Sequence, residues 1–126
     1  MRVMLACLHL PTDRVPALSL ACLKAWADAQ PDLDGVQISV HDLSLGDDPL
    51  DHVRRVHEAR PDVLGLSCYT WNVQASLSLC QQVKQVSPHT TIVLGGPEVA
   101  PLAAEVLTRH AEVDCVVTGE GERALA

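Results

Sequence analysis

Residues 61–72 read Pro61-Asp62-Val63-Leu64-Gly65-Leu66-Ser67-Cys68-Tyr69-Thr70-Trp71-Asn72. The apolar run at 63–66 is short and follows a Pro-Asp break, so it reads as a buried strand. Asn72 then stands as a helix N-cap, with Val73, Leu77, Cys80 and Val83 recurring at helical spacing behind it. Strand, small-residue loop and helix together form the repeating unit of a parallel α/β sheet.

The same unit recurs on both sides. Residues 3–8 are continuously apolar and predict a buried strand rather than a signal peptide, because the single charge before them is weak and His9, Pro11 and Asp13 interrupt the run. Pro16 opens a helix whose buried stripe is expected at Leu18, Ala21, Cys22, Ala25 and Trp26. Val36, Ile38 and Val40 alternate, which predicts a second strand nearer the sheet edge. Asp48-Pro49 is an N-cap followed by Pro at the first helical position, and Leu50, Val53, Val56 and His57 carry that helix to Arg60. After Ser87-Pro88, residues 92–94 give a fourth strand, Pro101 opens a helix through Leu102, Val106 and Leu107, and residues 113–117 give a fifth strand. This β-α-β-α-β-α-β-α-β order predicts one α/β domain over 1–126, a doubly wound five-stranded parallel sheet with helices on both faces. Residues 122–126 read as the first turn of a fifth helix, so the last helix is expected to be truncated and the chain to be a fragment of a longer protein.

Composition narrows the partners. The formal net charge is -7 and the only basic pair is Arg54-Arg55, which argues against nucleic acid. No apolar run is long enough to span a bilayer, and a cytoplasmic location is expected. The five cysteines lack any C-x-x-C spacing, so no metal or iron–sulfur site is expected. Four of them, all but Cys68, lie in apolar patterns and are expected to be buried. Phe is absent, and two of the three aromatic residues, Tyr69 and Trp71, fall in one loop.

Three loops follow the last three strands: 67–72, Gly95-Gly96-Pro97-Glu98 and Gly119-Glu120-Gly121-Glu122. In an open parallel sheet such loops gather outside the carboxyl ends of the strands, where ligands bind. The loop after the first strand, His9-Leu10-Pro11-Thr12-Asp13-Arg14-Val15, has no glycine and excludes the dinucleotide fingerprint. It holds only Thr12 toward a flavodoxin-type phosphate loop. Ser67 stands where a phosphoryl-accepting receiver domain needs Asp.

Taken together, the segments 61–72, 92–98 and 113–122 resemble the cobalamin (B12)-binding N-terminal domain of cobalamin-dependent radical SAM proteins. The resemblance covers essentially the whole chain. It implies a flavodoxin-like or Rossmann-like B12-binding fold that holds cobalamin base-off, with the nucleotide tail driven into the sheet. It also implies cofactor contacts at Ser67, Cys68, Tyr69, Trp71, Asn72, Gly95, Gly96, Pro97, Glu98, Gly119, Glu120 and Gly121. Ser67 matches the family's S-x-L-like element, with Tyr69 in place of Leu. The resemblance further implies that Gly95-Gly96 leaves room for the tail, that Glu120 or Glu122 accepts from a ribose hydroxyl, and that Tyr69 or Trp71 covers the corrin edge.

Each loop also has a plain structural reading: a tight turn at Gly95-Gly96-Pro97, helix-end electrostatics at Glu120 and Glu122, packing at Trp71. The joint pattern favours the ligand.

Cobalamin mutases and methionine synthase carry D-x-H-x-x-G for a cobalt-ligating His, and this chain has no such motif. Binding without a His ligand is therefore expected, with His9 as an outside candidate. The remaining histidines show no metal spacing. The parent is expected to add, in cis, a radical SAM domain with a 4Fe-4S cluster that cleaves S-adenosylmethionine, and to act as a methyltransferase or related radical enzyme. This chain alone is expected to have no catalytic residue. The alternative is a non-catalytic cobalamin sensor or interaction module.

Overall fold

The computed structural model describes residues 1–11, 18–119 and 121. Its strands are β1 (Arg2–His9), β2 (Gln37–Ser44), β3 (Val63–Ser67), β4 (Thr91–Gly95) and β5 (Cys115–Val116). They alternate with helices α1 (Leu18–Asp28), α2 (Pro49–Ala59), α3 (Val73–Val86) and α4 (Ala103–Arg109). All pairings are parallel, in the order β2-β1-β3-β4-β5. The chain therefore reverses direction between β1 and β3, and the crevice at their carboxyl ends is the expected ligand position of a flavodoxin-like sheet. The opening of the first helix at Pro16, Glu120 and the fifth-helix turn at 122–126 lie outside the described residues.

Local sequence sets most boundaries. Asp48 Oδ1 accepts from Leu50 N at 3.0 Å, Pro49 follows, and Arg60 closes α2 in a left-handed conformation. β2 lies at the sheet edge and fully buries only Leu43. β5 is shorter than the run at 113–117, although Val117 N still donates to Leu94 O at 2.8 Å. Asp114 ties β5 to its surroundings: Oδ2 accepts from Ile92 N at 2.8 Å and from Lys84 Nζ at 2.8 Å. Pro101 sits in a single 3-10 turn, Ala100–Leu102, and α4 begins only at Ala103.

The two faces of the sheet are covered unequally. Met4, Ala6 and Leu8 of β1, Leu64 and Leu66 of β3, and Ile92 and Leu94 of β4 point to one side, where Val56, Leu77, Cys80 and Val83 from α2 and α3 complete the larger core. Val3, Leu5 and Cys7 point to the other side and meet Leu20 and Leu23 of α1.

Helix α1 corrects one expectation. Its buried residues are Leu20 and Ala27, while Leu18, Ala21, Cys22 and Ala25 are exposed. Apolar residues occupy nearly every side of this helix, so their spacing did not single out a buried face. In α2, likewise, His52 and Val56 are buried, whereas Leu50 and His57 are exposed. His52 is buried, and its Nε2 has no hydrogen-bond partner among the described residues.

Candidate functional site

The side of the sheet facing α1 holds a cavity of about 890 Å³. Its floor follows from the strand register. Leu5, Gly65 and Val93 are aligned across β1, β3 and β4. One step toward the carboxyl ends, Ser67 is aligned with Gly95. Small residues at 65, 67 and 95 thus leave a trough down the middle of the sheet, walled by Val3, Leu5, Val63, Val93 and Val117. Leu18, Ser19, Cys22 and Leu23 of α1 form the opposite side.

Gly65 is what keeps the trough open. A Cβ there would press on the tip of Leu5, Cδ2 at 2.8 Å, with Met4 O next at 4.0 Å. Glycine in a central strand is otherwise a weak choice, and it often marks the close approach of another group.

At the mouth, the loops after β3 and β4 are laced together. Cys68 N donates to Gly95 O at 2.7 Å, and Thr70 Oγ1 donates to Glu98 Oε2 at 3.0 Å. Gly96 has φ +105°, and a Cβ on it would lie 2.4 Å from Cys68 O. Tyr69 and Trp71 stack with centroids 4.6 Å apart and planes 2° from parallel. The Tyr69 hydroxyl sits 3.5 Å from Ser19 Oγ, across the cavity mouth.

Of the residues expected at the ligand, Ser67, Tyr69, Gly95, Gly96, Pro97, Gly119 and Gly121 line the cavity. Trp71 is 48% exposed beside it. Glu98 is half-buried and engaged with Thr70. Cys68 and Asn72 are fully buried and do not line the cavity.

Asn72 occupies the N-cap position, but its side chain makes no capping bond. Instead Nδ2 donates to Leu8 O at 3.0 Å and Ser67 O at 3.1 Å, and Oδ1 accepts from Tyr69 N at 2.7 Å. One buried amide thus pins the β3–α3 loop to the ends of β1 and β3. Asn72→Ala strands these partners in a dry site and is expected to cost about 2 kcal/mol. Chemical denaturation will measure it, and a loss below a few tenths would refute the role.

His9 lies off the cavity, and its Nε2 is 2.6 Å from Asp42 Oδ1. Sequence reasoning passed over Gly65 and Cys22. The signal for Gly65 was a glycine inside an otherwise ideal strand.

The thiols divide differently from expectation. Cys7, Cys68 and Cys80 are buried, while Cys22 and Cys115 are exposed. Burial pushes the Cys68 thiol up to about 12 and raises that of Cys80 as well. Only the thiolate reacts with alkylating agents. At pH 8, mass spectrometry after brief alkylation is expected to find label on Cys22 and Cys115 and none on the other three until denaturant is added. Native labelling of Cys68 would contradict this packing.

The family model for the B12 binding domain matches residues 12–126. The chain belongs to that family. Two curated relatives carry related descriptions. One is 2-(S-pantetheinyl)-carbapenam-3-carboxylate methyltransferase of Streptantibioticus cattleyicolor, 44% identical over 64 residues, 51% of this chain. The other is the cobalamin-dependent radical SAM methyltransferase TokK of Streptomyces tokunonensis, 41% identical over 62 residues, 49% of this chain. Each match spans only 9% of the relative's length.

Among solved structures, a cobalamin-binding protein of Desulfitobacterium hafniense superposes with a TM-score of 0.67 at 19% identity, over 98% of this B12-binding domain and 56% of that chain. The pilus assembly protein CpaE of Caulobacter crescentus reaches 0.59 at 20% identity, over 93% of this domain and 80% of that chain. Likeness at this identity shows the fold alone, and one fold serves unrelated functions. No helix among the described residues is long and apolar enough to cross a membrane.

Proposed function

We propose that this B12-binding domain holds cobalamin base-off, with the nucleotide tail in the cavity over Gly65 and without a histidine ligand. We also place it within a longer radical SAM protein. The observation that carries the reading is the trough itself: an apolar, glycine-floored slot opening at the carboxyl ends of β3 and β4 in a member of the B12-binding family. Its volume suits a small-molecule site, for which roughly 300–1,000 Å³ is usual.

In this reading Ser67 and the Ser19–Tyr69 pair offer hydroxyls to the phosphoribose portion. Gly95, Gly96, Gly119 and Gly121 keep the mouth free of side chains, and the Tyr69–Trp71 stack flanks the corrin. Pro97 lines the mouth, and Glu98 holds the two loops together. Cys68 and Asn72 support the loop from below. His9 is drawn toward Asp42 and away from the slot, in keeping with a cobalt that takes no imidazole from this chain. Bound cobalamin supplies cobalt-centred group-transfer chemistry. The chain's own residues bind, orient and shield it.

The names of the relatives support a radical SAM catalytic domain in cis, with a 4Fe-4S cluster and S-adenosylmethionine, and a methyltransferase or related radical reaction. Cytoplasmic location fits the thiol-rich composition.

The test is to mix the purified protein with hydroxocobalamin, remove free ligand by gel filtration and record the visible spectrum. A retained corrinoid with a base-off spectrum is expected. A base-on spectrum would place the tail outside the slot and sink the model.

A further inference from the structure

The depth of the cavity has a chemical character distinct from its mouth. Among the described lining residues the hydroxyls belong to Ser19, Ser67 and Tyr69, all toward the carboxyl end of the sheet. Below them the walls are Val3, Leu5, Leu23, Val63 and Val93, with Gly65 between and the exposed Met1 at the amino end. Cys22, one turn along α1 from Ser19, offers only a weakly hydrogen-bonding thiol. Along the strand floor the backbone is engaged as well. Strands β1, β3 and β4 are each paired on both sides, so their N–H and C=O groups are spent on the ladder.

We propose that this cavity selects corrinoids by the base at the end of the nucleotide tail, accepting a dimethylbenzimidazole and disfavouring a purine. The inference rests on the reading that the tail enters the slot. Dimethylbenzimidazole presents two methyl groups and a hydrocarbon edge, which match Val63 and Val93. Adenine presents an exocyclic amine and ring nitrogens. Deep in the slot these lose water against the side chains of Val3, Leu5, Val63 and Val93, and each polar group buried without a partner weakens binding by about tenfold. Val93 is the position from which to test it, because it faces Gly65 across the strand register in the middle of the floor. Val93→Thr keeps the branched shape and a strand-compatible side chain while placing one hydroxyl there.

The experiment compares three ligands on the full-length protein by spectroscopic titration: cobalamin, the corrinoid carrying adenine as its lower base, and cobinamide, which lacks the tail. Cobalamin is expected to bind at least about tenfold tighter than the adenine form, and Val93→Thr is expected to narrow that ratio. Equal affinity for the two bases, or preference for adenine, with cobinamide much weaker than both, would overturn the selectivity and leave tail insertion standing. Cobinamide binding as tightly as cobalamin, or no corrinoid binding, would overturn tail insertion and the selectivity with it. The comparison of ligands on the unaltered protein does not depend on the variant folding. If Val93→Thr folds and leaves the ratio unchanged, the apolar floor is not the selector.

Discussion

Gly96→Val is expected to leave little folded protein, with a loss of about 4 kcal/mol or more, comparable to the whole stability of many domains. Two causes combine. At φ +105° the backbone occupies a region that side-chain-bearing residues rarely adopt. A Cβ there would also press on the backbone of Cys68, 2.4 Å from its O and 2.8 Å from its N. Those atoms cannot yield, because Cys68 N is bonded to Gly95 O and the residue is completely buried. Gly119 provides the control. It also has positive φ, +83°, but nothing stands within 4 Å of its would-be Cβ. Gly119→Ala should therefore cost about 1 kcal/mol, the backbone penalty alone. Thermal unfolding of both variants separates the effects. If Gly96→Val melts no lower than Gly119→Ala, the close approach of the two loops is wrong.

Gly65→Leu is expected to give the opposite signature: a folded protein that has lost its ligand. The obstruction at residue 65 is the end of a flexible side chain, Leu5 Cδ2, which can rotate away. Glycine contributes little to a central strand, so adding a side chain should leave the melting temperature near that of the parent. The added side chain would fill the trough where the tail is proposed to lie. Corrinoid affinity should fall by about a hundredfold, which corresponds to about 2.7 kcal/mol. Gly65→Ala should show a smaller loss in the same direction. Circular dichroism establishes the fold and spectroscopic titration the affinity. Undiminished binding by a folded Gly65→Leu protein would move the tail elsewhere.

The two glycines show what the sequence made legible. Gly95-Gly96 stands in a loop between a strand and a helix, where a turn announces itself. The alternation of short apolar runs with capped helical segments likewise gave the strand order of events, the edge position of β2 and the Asp48 cap. Gly65 lay hidden inside a strand, because its meaning depends on Leu5 and Val93, residues far away in the chain. Asn72 was visible at the right position but with the usual helix-capping role. Its actual partners, Leu8 and Ser67, are brought to it only by the assembled sheet. The phase of α1 was illegible for a different reason. A helix apolar on nearly every side carries little periodic contrast, and the half-covered face that leaves Leu18 and Cys22 on the cavity appears only in three dimensions.

The unequal anchoring of the cavity walls bears on timing. The floor belongs to three internal strands whose separation would break many ladder bonds. The facing wall is α1, which buries Leu20 and Ala27, whereas α3 buries five residues. Displacing α1 from the sheet sacrifices a few side-chain contacts and no strand pairing, so it is the less expensive opening. With the tail in the proposed slot, release is expected to follow the opening of α1, and Leu20→Ala is expected to speed release more than it slows capture, as stopped-flow corrinoid exchange will measure. A domain arranged this way can hold a ligand firmly against the sheet and still admit it, because the latch and the shelf are different parts of the chain.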